Sequence, residues 1–313
     1  MAQHWIATEY GTPDVLRFVE TEVRSPEAGE VTIAVRAAGV NPVDVKKLAG
    51  GPYAAATPLP HVPGQELVGV VTAIGPETVI GSGPVAIGDR VIGYRISGGY
   101  ATEVTLPASD VFAAPENLSD AEAANLLLVG ATAADLLRVV PVGADDTVLV
   151  HGASGAVGVS YLQQARRLGV RVIGTTSDAN ADTVRRFGGE PVAYGPGLAD
   201  RVRALAPTGI TAAIDVVGTE EALDVSLELL GGADRIGSAV TSPRAREAGV
   251  QLVGGVIPES AAFRAGVRAE LIALAASGDL VVPVARTFPL AEAPDALRLI
   301  AGGHPGGKLA LIP

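Results

Sequence analysis

The chain has 313 residues, of which 48% are hydrophobic and none is cysteine, and its formal net charge is −11. This charge disfavours broad contacts with nucleic acid or anionic membranes, and the absence of cysteine excludes disulfides, thiolate catalysis and cysteine-ligated zinc. The length predicts about two domains. Because no apolar run is long enough to span a membrane and the first residues lack a signal-peptide pattern, we expect a cytoplasmic protein.

The first part of the chain, residues 1–117, predicts a β-rich domain. Short β-type runs alternate there with Gly and Pro, a spacing that is typical of a compact antiparallel barrel or sandwich. The runs cover residues 31–37, 67–74, 90–93 and 100–106.

Within this part, Asn41-Pro42-Val43-Asp44 has the pattern of a helix start. Asn41 suits the N-cap, Pro42 the first helical position and Asp44 the first turn. Capping explains Asn41 and Asp44 by itself, and a ligand contact is the alternative. Both interpretations stay open.

Residues 118–257 alternate predicted strands with helices, which indicates an α/β domain with a doubly wound parallel sheet. Its clearest segment is residues 146–177, where a strand at 147–151, a glycine-rich loop, a helix and a strand at 170–175 follow one another. The loop has the pattern Ala-x-Gly-x-x-Gly from Ala153 to Gly158, one glycine short of the dinucleotide fingerprint. A pyrophosphate would bind the free amides at the start of the helix, whereas a tight turn without ligand is the alternative.

Further strands are predicted at 191–194, 212–217, 234–239 and 250–254. In a doubly wound sheet the ligand crevice lies beyond the carboxyl ends of the strands. Val217, Ser238, Val240 and Gly254 fall at such ends. A last strand at 308–312 is expected to return to the first domain.

Seven segments together resemble one family over nearly the whole chain. They are GVNPVDVK (39–46), VPGQELVGVVTAIG (62–75), GDRVIG (88–93), GGYATEV (98–104), HGASGAVG (151–158), AAIDVVG (212–218) and FPLAEAPDALRLIAGGHPGGKLAL (288–311). The chain thereby resembles the zinc-free quinone oxidoreductase branch, which includes zeta-crystallin, of the medium-chain dehydrogenase/reductase superfamily. The resemblance implies a GroES-like β-barrel catalytic domain in residues 1–117, a Rossmann dinucleotide-binding domain in 118–257, and a C-terminal segment, 258–313, that returns to the catalytic domain.

The resemblance also implies a function, a zinc-independent and NADPH-dependent transfer of hydride to a quinone or an α,β-unsaturated carbonyl compound. An enoyl-thioester reductase of the same superfamily and a non-catalytic NADPH-binding sensor or structural protein are the alternatives. Asn41 and Gln65 stand where zinc-dependent relatives have a cysteine and a histidine ligand. The four histidines have no ligand spacing, and His151 is expected to be a packed strand residue. They are His4, His61, His151 and His304.

Three catalytic candidates follow from the resemblance. Asn41 matches the family asparagine near the nicotinamide and the substrate, and Tyr53 resembles a tyrosine that borders the acceptor. Lys46 matches a lysine of enone-reducing relatives, where it could donate a hydrogen bond or a proton to an oxyanion. A solvated helix face is the alternative for Lys46, and a surface loop is the alternative for Tyr53.

The end of the second strand of the 146–177 segment bears on the choice of cofactor. NAD-preferring units carry an acid there, whereas residues 175–177 are Thr, Thr and Ser, which favours NADPH. Tyr194 matches a tyrosine that relatives place against the adenosine phosphate, but Asp178 and Ala179 replace residues that are often Lys or Arg. The predicted cofactor contacts are Thr132, Ser154, Gly155, Ala156, Val157, Thr175, Thr176, Ser177, Tyr194, Val217, Ser238, Val240, Gly254 and Lys308. The family is often dimeric through Rossmann edge strands, so we expect a homodimer and take residues 233–240 as a candidate edge.

Overall fold

The computed structural model describes residues 1–303 and 305–313, so that His304 lies outside the described residues. The chain divides into two compact units. The first unit comprises Met1–Leu128 and Ala269–Pro313, and the second comprises Val129–Arg268.

Fifteen strands and eleven α-helices make up the regular structure of the described ranges. The strands are β1 Ala2–Ala7, β2 Leu16–Thr21, β3 Glu30–Val40, β4 Glu66–Ile74, β5 Arg90–Tyr94, β6 Glu103–Pro107, β7 Val111–Ala113, β8 Thr147–His151, β9 Arg171–Thr176, β10 Glu190–Ala193, β11 Ala212–Asp215, β12 Ile236–Ser238, β13 Gln251–Leu252, β14 Val284–Pro289 and β15 Lys308–Ile312. The helices are α1 Pro42–Leu48, α2 Asp120–Ala123, α3 Leu126–Val139, α4 Ala156–Arg167, α5 Ala181–Arg186, α6 Leu198–Leu205, α7 Glu220–Leu230, α8 Pro243–Glu247, α9 Pro258–Gly266, α10 Arg268–Ala276 and α11 Ala293–Ala301. Among these described helices, none combines the length and the apolarity that a membrane crossing demands.

The unit boundaries lie after Leu128 and Arg268, later in the chain than the boundaries at 117 and 257 that the sequence suggested. The start of α3 belongs with the first unit because the backbone N–H of Leu128 donates to Glu66 Oε2 at 3.0 Å. Just before it, Asn125 Nδ2 donates to the carbonyl of Leu309 at 3.1 Å. The functional division of the chain stays a prediction.

The second unit is built on a six-stranded parallel sheet. Its strand order is β10-β9-β8-β11-β12-β13, which becomes 3-2-1-4-5-6 when β8 is counted as the first strand. This is the order of doubly wound dinucleotide-binding sheets, as the alternating pattern predicted. The central strands are apolar because helices cover both faces of a parallel sheet, and Val148–Val150 are fully buried.

The edge strand of this sheet differs from the prediction. Residues 233–240 were taken as a candidate edge, but β12 lies between β11 and β13 and pairs with both. The prediction was wrong because the short strand β13 adds to the sheet beyond β12. The edges are therefore β10 and β13.

The first unit contains a seven-stranded sheet and a separate hairpin of β1 and β2. The long strand β3 pairs antiparallel with β4, β6 and β15, so that it forms the middle of the sheet. The C-terminal strand β15 lies beside the end of β3, with Leu309 opposite Val40. Three element ends thereby meet within the first unit: the end of β3, the start of β4 and the start of β15.

Candidate active site

The end of β3 leads into α1 through Asn41, which is fully buried. The backbone N–H of Asn41 donates to a carboxylate oxygen of Asp44 at 3.0 Å, which stabilises the helix start. The Asn41 side chain contacts two charged groups: its Nδ2 donates to Glu66 Oε1 at 3.0 Å, and its Oδ1 accepts from Lys308 Nζ. Asn41 is therefore both the helix start and a member of a buried polar cluster, and its contact with a ligand stays a prediction.

Glu66 and Lys308 form a buried ion pair, with Lys308 Nζ 3.4 Å from Glu66 Oε1. Lys308 Nζ also donates to the carbonyl of Val40 at 3.1 Å, and burial lowers the pKa of Lys308. Gly39 leaves room for this pair, because a Cβ there would lie 2.7 Å from Glu66 Oε1. Lys308, predicted as a cofactor contact, thus has three hydrogen-bond acceptors inside the first unit.

Asp44 is the centre of a second part of the cluster, and it too is fully buried. Its carboxylate accepts from the hydroxyl of Tyr100 at 3.0 Å and from Gln65 Nε2 at 3.4 Å. Burial raises the pKa of Asp44 to about 6, while the hydrogen bonds from Tyr100 and from the Asn41 N–H act in the opposite direction. Burial also raises the pKa of Tyr100, which therefore donates as a neutral phenol.

The two neighbouring lysines of α1 have different surroundings. Lys46 is exposed, whereas Lys47 is half-buried and its Nζ donates to Gln65 Oε1 at 2.9 Å. Burial lowers the pKa of Lys47, and the nearby Asp44 partly offsets this effect. The structure therefore brings Lys47, not the predicted Lys46, to the polar cluster. Tyr53 lies half-buried in the short 3-10 helix Gly51–Ala56.

Sequence reasoning missed Lys47, Glu66 and Tyr100, and for Asp44 it offered a capping role or a ligand contact but not the bond to Tyr100. Glu66 carried a signal, because it directly precedes the apolar run at 67–74 and a carboxylate is costly in a buried strand.

The raised pKa of Asp44 has a consequence for stability. The folded protein binds this proton more tightly than the unfolded chain, so the contribution of Asp44 to stability is full below about pH 4 and is lost as the pH rises through 6. We expect the unfolding free energy of the wild type, relative to that of Asp44→Asn, to fall by about 2–3 kcal/mol between pH 4 and pH 7. Urea unfolding at the two pH values measures this change, and a constant difference would contradict it.

In the second unit, the loop after β8 and the start of α4 form a cradle for an anion. Gly155 precedes α4 and provides no capping side chain, so the amides of Ala156 and Val157 in the first turn are available to a ligand. Gly158 lets the helix approach the loop, because a Cβ there would lie 2.4 Å from the carbonyl oxygen of Gly152. The predicted strand-loop-helix segment is present, and its uncapped helix start fits a pyrophosphate.

The end of β9 is tied to this loop by its two threonines. Thr175 Oγ1 accepts from the backbone N–H of Gly152 at 3.0 Å, and Thr176 Oγ1 donates to Ser154 Oγ at 2.9 Å. Both threonines are buried. Both threonine side chains therefore fix the loop. The next residue, Ser177, is half-buried and carries the first hydroxyl group after the strand.

Two exposed residues lie near Ser177. Asp178 follows it directly, and Tyr194 follows β10, in which Ala193 pairs with Thr176. Tyr194 is 60% exposed and is therefore open to a ligand.

Ala153 holds the first glycine position of the fingerprint because Gly174 faces it. A Cβ at Gly174 would lie 2.4 Å from Ala153 Cβ and 3.1 Å from Val184 Cγ1. We expect Gly174→Ala to lower the unfolding free energy by about 1–3 kcal/mol through overpacking. In the Ala153→Gly/Gly174→Ala protein the methyl group moves to the facing residue, and most of this loss should be recovered. Urea unfolding of both single variants and the double variant measures this recovery. If the loss of unfolding free energy in the double variant equals the sum of the two single losses, the two residues do not face each other.

The carboxyl ends of β11 and β12 meet through Asp215, which the sequence analysis missed. Asp215 Oδ1 accepts from the N–H groups of Val217 and Gly218 at 2.9 and 2.8 Å, and Oδ2 accepts from Ser238 Oγ at 3.1 Å. Ser238 Oγ in turn accepts from the N–H of Val240 at 3.1 Å. The structure therefore brings Val217, Ser238 and Val240 together.

The glycine loop after β8 lies beside Val217 at the same end of the sheet, because a Cβ at Gly152 would be 2.5 Å from Val217 Cγ1. Gly254 follows β13, and its N–H lies 3.3 Å from Ser260 Oγ. Thr132 is buried in α3. Contact of any of these residues with a cofactor stays a prediction.

The histidines show no metal-ligand arrangement in the described part of the chain. His151 is buried, its Nε2 lies 3.0 Å from Ser226 Oγ, and burial lowers its pKa to about 4. Within residues 1–303 and 305–313, no group of three or more His, Cys, Asp or Glu residues is placed to hold a metal ion.

Two families match parts of the chain. Residues 27–116 match the alcohol dehydrogenase GroES-like domain, and residues 190–311 match the zinc-binding dehydrogenase family.

Several curated proteins are similar in sequence. A probable quinone oxidoreductase of Schizosaccharomyces pombe is 30% identical over 320 residues, which cover 96% of this chain and 94% of that protein. The pikromycin polyketide synthase component PikAII of Streptomyces venezuelae is 35% identical over 93% of this chain but only 8% of its own length. The mouse quinone oxidoreductase is 37% identical over 171 residues, 53% of this chain and 50% of the mouse protein. The alignments thus span half of the mouse protein and a small part of the synthase component.

Solved structures are similar over the whole chain. A mycobacterial protein in complex with NADPH has a TM-score of 0.83 and 32% identity, covering 99% of this chain and 100% of that one. Escherichia coli quinone oxidoreductase in complex with NADPH has a TM-score of 0.83 and 25% identity, also covering 99% and 100%.

A Rossmann-type parallel sheet with a glycine loop, together with a GroES-like β-domain, defines a medium-chain dehydrogenase/reductase. The chain belongs to the quinone oxidoreductase branch of this superfamily. The family and the fold class that the sequence resemblance implied are thereby confirmed.

Proposed function

We propose that the protein is an NADPH-dependent oxidoreductase that transfers hydride, without zinc, to a quinone or an α,β-unsaturated carbonyl acceptor. The observation that carries the proposal is the uncapped start of α4 behind a loop fixed by Thr175 and Thr176. The two similar structures in complex with NADPH support it.

Residues of the second unit would hold the cofactor, which supplies the hydride when bound. The amides of Ala156 and Val157 face the pyrophosphate, where the helix dipole favours negative charge. Ser177 and Tyr194 bind the adenosine phosphate. The remaining predicted contacts of this unit are Thr132, which lies in α3, and residues at or after the strand ends of the sheet, namely Ser154, Gly155, Thr175, Thr176, Val217, Ser238, Val240 and Gly254.

Residues of the first unit would act on the acceptor. Lys47 takes the role predicted for Lys46, because its ammonium group is half-buried and hydrogen-bonded, and its lowered pKa makes it a better proton donor. Its positive charge stabilises the oxyanion that develops as the acceptor receives hydride. Lys308 holds Asn41 Oδ1, so that Asn41 keeps a fixed orientation. Tyr53 borders the acceptor.

Reduction of an enoyl thioester is the second candidate. The match of a polyketide synthase component to 93% of this chain favours it.

An acceptor panel tests both candidates. Purified protein with NADPH is given 1,4-naphthoquinone, 3-penten-2-one or crotonyl-CoA, and the loss of nicotinamide absorbance is followed before and after dialysis against EDTA. We expect turnover of the quinone or the enone that survives dialysis. Turnover of crotonyl-CoA alone would favour the second candidate, and activity lost with EDTA and restored by zinc would overturn the zinc-free mechanism.

The choice between NADPH and NADH should depend on the charge at position 178. Asp178 is exposed directly after Ser177, and a carboxylate there repels the 2′-phosphate. We expect Asp178→Lys to raise the ratio of kcat/KM for NADPH to that for NADH about tenfold. Asp145→Lys makes the same charge change at another exposed position of this unit and should leave the ratio unchanged. Equal ratios in the two variants would contradict this role.

The homodimer and the cytoplasmic location also remain proposals. Light scattering on the eluting protein and cell fractionation test them.

A further inference from the structure

We propose that Arg201 is a positioning residue for the cofactor. It holds the turn that carries Tyr194, so that the Tyr194 hydroxyl meets the adenosine phosphate and NADPH is preferred over NADH. We call residues 193–197 the Tyr194 turn. This inference rests on the proposed function, because it concerns how the same cofactor site recognises the phosphate.

The Tyr194 turn follows β10 directly and has the sequence Ala-Tyr-Gly-Pro-Gly. Gly195 and Gly197 have φ values of +98° and +80°, which glycine adopts at no steric cost. Glycines allow such a turn, but they have no side chain that could fix it. The position of Tyr194 therefore depends on contacts from outside the turn.

The guanidinium group of Arg201 supplies these contacts. Its Nε and Nη2 donate to the carbonyl of Ala193 at 3.2 and 2.8 Å. Nη2 also donates to the carbonyl of Gly195 at 2.9 Å, and Nη1 donates to that of Pro196 at 2.8 Å. Because the donors of a guanidinium lie in one rigid plane, they fix these three carbonyls relative to one another. The carbonyls come from both sides of Tyr194 in the chain.

Arg201 itself stands on a fixed support. It lies in α6, whose residues Leu198 and Val202 are 1% exposed and belong to the core of this unit. A second support comes from α7, where Glu221 Oε2 accepts from the N–H of Gly195 at 3.1 Å. The backbone of the Tyr194 turn is thus held by two helices, while the Tyr194 side chain remains exposed to a ligand.

The phosphate depends on Tyr194 because its other neighbours offer little. Thr175 and Thr176 are hydrogen-bonded to the glycine loop, and Asp178 carries a charge that repels a phosphate. Ala193 pairs with Thr176, so that the Tyr194 turn and Ser177 leave the sheet side by side. A hydroxyl that is already held in place binds the phosphate without a further ordering cost. Loss of Arg201 should therefore weaken ligands that carry a 2′-phosphate more than ligands that lack it.

Two fragments of the cofactors test this role. Calorimetry on the whole protein compares adenosine 2′,5′-bisphosphate with 5′-AMP, and the ratio of their affinities measures the preference for the 2′-phosphate. We expect this ratio to fall about tenfold in Arg201→Gln. Arg203→Gln is the matched control, because Arg203 lies in the same helix and makes exposed ion pairs with Asp200 and Glu228. Equal ratios in the two variants would overturn the inference.

A conservative variant separates the guanidinium fork from its charge. Arg201→Lys keeps the positive charge but has one nitrogen in place of the planar fork, so it should lose nearly as much of the preference as Arg201→Gln. A wild-type ratio in Arg201→Lys would show that the charge alone suffices, and the positioning role would be wrong. Both variants keep Leu198 and Val202 of α6 and should fold normally.

A double-mutant cycle shows whether Arg201 acts through Tyr194. Tyr194→Phe removes the hydroxyl, and in that protein Arg201→Gln should change the ratio by less than about twofold. A tenfold loss in the Tyr194→Phe protein would mean that Arg201 acts on the phosphate by another route. These measurements need no turnover, so they decide the role of Arg201 even if quinones, enones and thioesters are all refused and the proposed function fails. A wild type that binds the two fragments equally would overturn the inference whatever the acceptor panel shows.

Discussion

Replacing Lys308 by Met should lower the free energy of unfolding by about 3–5 kcal/mol, because the change leaves the Glu66 carboxylate buried without its cation. Lys308 and Glu66 are 3% and 0% exposed, so water does not screen the charge that remains. The variant also removes the donor that holds Asn41 Oδ1 and the carbonyl of Val40. Urea unfolding at pH 7 measures the loss.

Two further variants separate the ion pair from general damage to the core. In Lys308→Met/Glu66→Gln no charge remains unpaired, so this protein should be more stable than Lys308→Met alone. Lys46→Met removes an exposed lysine of the same unit and should change stability by less than about 0.5 kcal/mol. A loss in Lys308→Met as small as that in Lys46→Met would contradict the structural role of the pair.

The same double variant tests the cofactor contact that the sequence predicted for Lys308. If Lys308 acts only inside the first unit, the double variant should bind NADPH as the wild type does. A weaker affinity for NADPH in that stable protein would restore Lys308 to the cofactor contacts.

The fold could be predicted from the sequence where one local pattern decides the structure. The apolar, β-branched strand at 147–151 and the last strand at 308–312 have the predicted bounds. The β1–β2 hairpin was not predicted, because its apolar residues Trp5 and Leu16 are buried by pairing and packing rather than marked by alternation or a turn motif. The place of β12 in the sheet was missed because strand order depends on pairing: a strand was predicted at 250–254, but its sequence does not show that β13 pairs with β12.

The candidate site was only partly predictable, because its members come from distant parts of the chain. Lys308 and Asn41 are 267 residues apart in sequence and are hydrogen-bonded in the fold. The choice between Lys46 and Lys47 depends on which face of α1 is buried, and a helix of 7 residues is too short for its periodicity to decide this. A nucleotide contact for Thr175 and Thr176 was predicted from sequence and stays a prediction, whereas their bonds to Gly152 and Ser154 appear only once the loop is folded back on β9.

Gly158→Ala should have the largest effect on cofactor binding. Its Cβ would lie 2.4 Å from the carbonyl oxygen of Gly152 and 2.7 Å from both the Cα and the carbonyl oxygen of Ala153. These are backbone atoms and cannot turn aside as a flexible side chain can, so the start of α4 must move away from the loop. We expect NADPH binding to weaken about 100-fold, because the amides of the first helical turn are displaced from the pyrophosphate. Overpacking should also lower the free energy of unfolding by about 1–3 kcal/mol.

Gly143→Ala is the control for this change, because a Cβ at Gly143 meets no atom within 4 Å and the residue lies in the same unit. Calorimetric titration with NADPH and urea unfolding measure both effects. The two effects are also separable, because a general loss of stability weakens NADPH binding only through the unfolded fraction, which stays small in a protein that is still folded at the temperature of the titration. A folded Gly158→Ala protein with wild-type affinity would show that the cofactor does not depend on the approach of α4 to this loop, and the placement of the pyrophosphate on that helix would then be wrong.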